Sequence, residues 1–141
     1  MKLNFKIEGG KALDNALKQL GYDMEKKVAK SAVRAGANVI AKQARINAPL
    51  GDTGTLKRSI KVVTRSKRTG DAVASVVTRS GKKYTARGMN AWYAGKVEFG
   101  TLNKPAHPFL RPALDSKGDE AIKAMSEKIQ QRIRKIGIGK K

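Results

Sequence analysis

Val97-Glu98-Phe99-Gly100-Thr101, followed by Pro105-Ala106-His107-Pro108-Phe109-Leu110-Arg111-Pro112-Ala113-Leu114, is the stretch on which the fold turns. Three of the chain's four prolines fall here, which makes it the most conformationally restricted part of the sequence. Proline holds φ at about −65° and pushes the residue before it toward extended geometry. An apolar strand over residues 91–99 is expected to end in a turn at Gly100. An extended loop then presents Phe109 and Leu110 to an apolar surface, and Pro112 suits the first turn of a helix. The segment is expected to lock the strands to the last helix. Its candidate structural or interface residues are Val97, Glu98, Phe99, Gly100, Thr101, Phe109, Leu110, Arg111 and Pro112.

Upstream, Leu3-Asn4-Phe5-Lys6-Ile7-Glu8 alternates apolar and polar residues as a half-buried strand does. Gly9-Gly10 ends it, and residues 11–20 read as a short helix with Leu13, Leu17 and Leu20 on one face. A longer helix is expected over 24–47, with Asp23 as its cap. Val28, Ala32, Ala35, Val39 and Ile46 form its stripe, widened by Ala29, Val33, Ile40 and Ala44. Such an alanine-rich side serves either as core against the sheet or as a contact between subunits. Pro49 breaks the helix, and Leu50-Gly51-Asp52-Thr53-Gly54 is a turn by composition.

The pentapeptide Val62-Val63-Thr64-Arg65-Ser66 recurs verbatim as Val76-Val77-Thr78-Arg79-Ser80. With Lys67-Arg68-Thr69-Gly70-Asp71 between the copies, this reads as a hairpin of strands 60–66 and 72–80 with a basic tip. A polar, basic loop is expected over 81–90. The last helix carries Ile122, Met125, Ile129, Ile133 and Ile136 on one stripe, and a frayed basic tail begins at about residue 137. The expected class is α+β. A small antiparallel sheet of about four strands carries a long central helix and a C-terminal helix on one face, in one domain over residues 1–141.

Composition narrows the function. Hydrophobic residues make up 40% and aromatics only 5%, so the core must be aliphatic and rich in alanine. No cysteine is present, which excludes disulfides and thiolate metal sites. The N-terminus has no apolar run, and no stretch approaches the roughly 18 apolar residues of a membrane span, so neither a signal peptide nor a membrane contact is expected. Thirty-one basic residues face 11 acidic ones, a net charge of +20. The excess is +6, +5, +5 and +4 over residues 1–48, 49–80, 81–112 and 113–141, so the cationic character belongs to the whole body and not to a tail. Such a body repels copies of itself unless a polyanion or an acidic partner screens it.

Catalytic constellations are missing. The single histidine, His107, stands between Ala106 and Pro108 with no nucleophile motif, and a metal site would lack a second histidine. Gly95 and Gly100 have the spacing of a phosphate-loop pair, but Thr101 occupies the position of the required lysine. Glu98 is the only carboxylate between Asp71 and Asp115, and pairing with an arginine such as Arg111 suits it better than general-base work. No enzyme, cofactor or metal is expected. Contact with DNA or an acidic partner is assigned to Lys67 and Arg68 at the hairpin tip and to Lys82, Lys83, Tyr84 and Arg87, where a stacking ring sits among phosphate-binding cations.

Two pieces of the chain together resemble a family of small neck or tail-component proteins of long-tailed bacteriophages and prophages. One is Asn47-Ala48-Pro49 with Thr53-Gly54-Thr55-Leu56-Lys57-Arg58-Ser59-Ile60; the other is Val97-Glu98-Phe99-Gly100-Thr101 with Pro108-Phe109-Leu110-Arg111-Pro112-Ala113-Leu114. The resemblance implies a structural virion protein of the neck or tail, assembled in the host cytoplasm. It implies copies in a ring, six by the symmetry of tails, that join the filled head to the tail. Its partners would be itself, other neck, connector and tail proteins, and DNA in the channel. Lateral contacts are expected from the alanine-faced helix and the sheet edges. The competing reading is a non-specific DNA-binding or packaging protein.

Overall fold

The structure, a computed structural model, describes residues 2–5, 22–67 and 71–136. Its elements in chain order are β1 (Lys2–Phe5), α1 (Tyr22–Asn47), α2 (Thr55–Ser59), β2 (Ile60–Ser66), β3 (Ala72–Thr78), α3 (Lys82–Thr85), α4 (Ala94–Phe99) and α5 (Leu110–Ile136). The expected helix over 11–20, the hairpin residues 68–70 with Arg68, and the basic tail from 137 lie outside the described residues.

The sheet is antiparallel in the order β1-β3-β2. The two pentapeptide copies cross at Val62↔Val76, with Ile60 opposite Thr78 and Ser66 opposite Ala72. This register puts Ile60, Val62 and Thr64 on the same face as Ala74 and Val76, and Ile60, Ala74 and Val76 are buried there. Lys61, Val63 and Arg65 take the opposite face.

α1 packs against both β2 and β3 and, most extensively, against α5. Its buried side is Val28, Ala32, Val33, Ala37, Ile40, Ala41 and Ala44, continued by Ala48. The expected stripe was misplaced in part, because Val39 is only half-buried and Ile46 is 63% exposed. The alanines are spent inside the fold, which corrects their expected use as a lateral contact. Small side chains let α5 approach closely. At Gly36 an added Cβ would stand 2.6 to 2.8 Å from side-chain atoms of Met125. α5 in turn buries Ala113, Ala121, Met125 and Ile129, with Ile133 packed against them, whereas Ile122 is 57% exposed.

One of the four expected strands is not a strand. Residues 94–99 form helix α4, and three strands are present among the described residues. A strand would have put Val97 and Phe99 on one face and Glu98 on the other. The helix instead turns Ala94 and Glu98 inward and leaves Phe99 75% exposed. The basic loop likewise contains a helical turn, α3, braced by Asn90, whose Oδ1 accepts the Gly81 N–H at 2.8 Å and whose amide donates to Thr85 Oγ1 at 3.1 Å.

Candidate functional site: the Glu98 clamp and the basic surfaces

α5 starts without a cap of its own among its neighbours in sequence. The first backbone N–H groups of any helix lack partners and carry the positive end of its dipole. Glu98 supplies what is missing from the preceding helix. Its Oε2 accepts the N–H of Phe109 at 2.7 Å and of Leu110 at 3.0 Å, and its Oε1 accepts that of Arg111 at 3.0 Å. The carboxylate is 6% exposed and fully partnered. The expected ion pair with Arg111 is therefore replaced by a bond to the backbone of Arg111, whose side chain is exposed.

Glu98 can reach only if the chain reverses directly after it. Gly100 makes that reversal at φ 76° and ψ 175°, a region that side chains other than glycine's avoid. Thr101 and Lys104 close a tight turn, their N–H groups donating to each other's carbonyls at 2.9 and 3.3 Å, and the His107 N–H donates to the Val97 carbonyl at 2.8 Å. Phe109 and Leu110 are fully buried, contributing about 1.5–3 kcal/mol each. Pro112 falls in the first turn of α5. The two sequence pieces meet here as well. The Asn47 amide donates to the Phe109 carbonyl at 3.4 Å and accepts from Gln43 at 2.9 Å.

Outside the clamp, the same segment presents apolar side chains to solvent. Trp92 is 66% exposed, Phe99 75% and Leu102 fully. Lys96 and Phe99 lie on the side of α4 opposite buried Ala94 and Glu98, and Lys96 Nζ lies 4.9 Å from the ring centre of Trp92 in the turn before the helix.

The expected basic contacts fall into two separate places. Tyr84 accepts a hydrogen bond from Lys61 Nζ at 3.2 Å, and the ammonium groups of Lys61 and Lys83 lie 5.3 and 4.9 Å from its ring centre. These cations lower the Tyr84 pKa below its ordinary 10.0, first through the Lys61 hydrogen bond and then through Lys83. Lys82, Lys83 and Arg87 are exposed around it. Lys67 stands at the far end of β2, about 20 Å along the strand from Lys61, and its N–H donates to the Asp71 carbonyl at 2.8 Å.

A third basic feature joins residues that are far apart in the chain. Lys27, Lys30, Ser31 and Arg34 of α1, Thr64 of β2 and Arg132 of α5 line an open cleft of about 370 Å³. The spacing 27, 30/31, 34 marks one side of a helix, but nothing local ties that side to Thr64 or Arg132.

Among the described residues no helix is long and apolar enough to cross a membrane, and no three acidic, histidine or cysteine side chains are placed to hold a metal ion. The model of the family described as "Bacteriophage HK97-gp10, putative tail-component" matches residues 11–100. The chain belongs to this family. The match ends at Gly100, the turn residue of the clamp, and contains Glu98 and the whole hairpin. A phage tail component is a structural part of the virion, and that is the role membership gives this chain. No curated protein and no solved structure matches it.

Proposed function

We propose that the protein is a non-enzymatic building block of the neck, a single domain over residues 1–141 that acts as six copies in a ring and joins the DNA-filled head to the tail. The observation that supports this reading is the exposed surface of Trp92, Phe99 and Leu102. Three large apolar side chains are exposed within eleven residues, and exposed apolar surface of a few hundred Å² is often functional. Glu98, the only carboxylate between Asp71 and Asp115, is buried in the clamp. Lys96 and Lys104 are therefore exposed among these side chains with no acidic neighbour in that segment.

A complementary face exists on the same molecule. Asp115, Asp119 and Ile122 share one exposed side of α5. Trp92-Lys96-Phe99 against Asp115-Asp119-Ile122 pairs apolar with apolar and cation with anion. Two different faces make a head-to-tail contact, which closes into a ring when the rotation allows. A body of net charge +20 opposes its own assembly at low salt. At about 0.15 M salt charges are screened beyond roughly 8 Å, while a dry local contact persists.

Trp92 is the only tryptophan, so its emission reports this surface directly. Sedimentation of the purified chain at rising salt should show association, accompanied by a blue shift of Trp92. Lys96→Glu lowers the net charge to +18 and would strengthen association if overall repulsion alone governed it. The contact predicts the reverse, a weakening of about tenfold or more. Association that Lys96→Glu leaves unchanged or strengthens would refute the contact but leave a ring through other surfaces. A monomer at every salt and concentration, with unshifted Trp92, would refute self-assembly of the free protein.

A further inference from the structure

Among the described residues, the cleft between α1, β2 and α5 is lined by four cations, two hydroxyls and no carboxylate. Lys27, Lys30, Arg34 and Arg132 are exposed, and among the described residues no ion pair within 4.0 Å engages any of them. The chain does have acids to spare for such a purpose, since Lys117 on the same α5 is paired with Glu120 at 2.9 Å. Four like charges gathered from two helices repel one another, and an anion placed between them would relieve that repulsion. Arginine offers a planar fork that matches two oxygens of one phosphate, lysine a mobile point charge, and Ser31 and Thr64 neutral donors. Thr64 also sits three residues before Lys67 in the chain.

From this convergence we propose that the α1–β2–α5 cleft binds phosphate groups of a nucleic-acid backbone. The proposal does not depend on ring formation, and it assigns the phosphate contact to residues other than the two basic clusters expected from the sequence. Among its described lining residues the cleft supplies no groove-reading element and no aromatic stacking ring, so the contact is to backbone and indifferent to base sequence.

The test compares two variants of the full chain that remove the same charge. One carries Lys27→Gln, Lys30→Gln, Arg34→Gln and Arg132→Gln. The other carries Lys67→Gln, Lys82→Gln, Lys83→Gln and Arg87→Gln. Each has a net charge of +16, and glutamine suits the exposed helix positions. Binding to a short DNA duplex is measured by fluorescence anisotropy from about 50 to 200 mM salt. Each phosphate neutralised contributes about −0.9 to the slope of log affinity against log salt. The cleft variant should lose roughly three to four units of that slope and the tip variant less than one. Equal losses would show a diffuse cationic surface and overturn the proposal, as would loss in the tip variant alone. A third arm uses inorganic phosphate. Saturable thermal stabilisation by phosphate that the cleft variant abolishes, with an unchanged DNA slope, would assign the cleft to free phosphate and overturn the nucleic-acid reading.

Discussion

Replacing Gly100 with alanine should unfold the clamp from its tightest point. An ideal Cβ at residue 100 would lie 2.7 Å from the backbone nitrogen of Ala106, and 3.1 Å from both the Ala106 Cα and the Lys104 carbonyl oxygen. All three are backbone atoms, so no side-chain rotation relieves the overlap. Movement of Ala106 would pull on His107, bonded to Val97, and on the Thr101–Lys104 turn. Backbone strain at this φ and ψ costs about 1–3 kcal/mol, and steric displacement of packed atoms adds about 1–3 kcal/mol. We expect Gly100→Ala to destabilise by about 3–5 kcal/mol. Unfolding entropy for a chain of this size is about 0.3 kcal/mol/K, so the midpoint should fall by about 10–17 °C. Gly95 provides the control. It lies in α4 with nothing within 4 Å of a built Cβ, and Gly95→Ala should stabilise by about 0.5–1 kcal/mol. Circular dichroism melts of both variants at one dilute concentration decide the matter. A Gly100→Ala midpoint within 2 °C of wild type would refute the reasoning, because the loop would then not be fixed by its backbone.

Two further predictions follow from neighbouring observations. Glu98→Gln keeps the shape but leaves one acceptor for three N–H groups and turns an amide donor toward another donor. It should cost about 2–4 kcal/mol, read as a shift in urea midpoint at constant slope; a cost under 0.5 kcal/mol would mean α5 does not need the carboxylate. The lowered Tyr84 pKa means that folding favours its phenolate, so this contribution to stability is absent below the folded pKa and grows as pH rises through it. Lys61→Met removes the largest cause and should raise the Tyr84 midpoint in an absorbance titration, whereas an unmoved midpoint would place the cause elsewhere.

Much of the fold was legible in the residues. The repeated pentapeptide identified two strands of matching need, and their pairing at Val62↔Val76 is the crossing of those copies. Helical periodicity between Asp23 and Pro49 located α1, although which of its sides is buried depended on α5 as well as the sheet. The apolar run Ala91–Phe99 misled, because Val97 and Phe99 look like one face of a strand. The deciding residue was Glu98, whose carboxylate had to point inward toward three N–H groups that no local pattern announces. The cleft was invisible for a similar reason. Thr64 and Arg132 are distant in sequence, and only the packing of α5 on α1 brings Arg132 to the basic side of α1.

The claim at the centre of this account is that the chain is a structural part joining head to tail. Electron microscopy of a lysate from the parent phage or prophage, with this gene deleted, tests it most directly. The account predicts free tails beside heads that are filled or have leaked their DNA. Intact, infectious particles would contradict it.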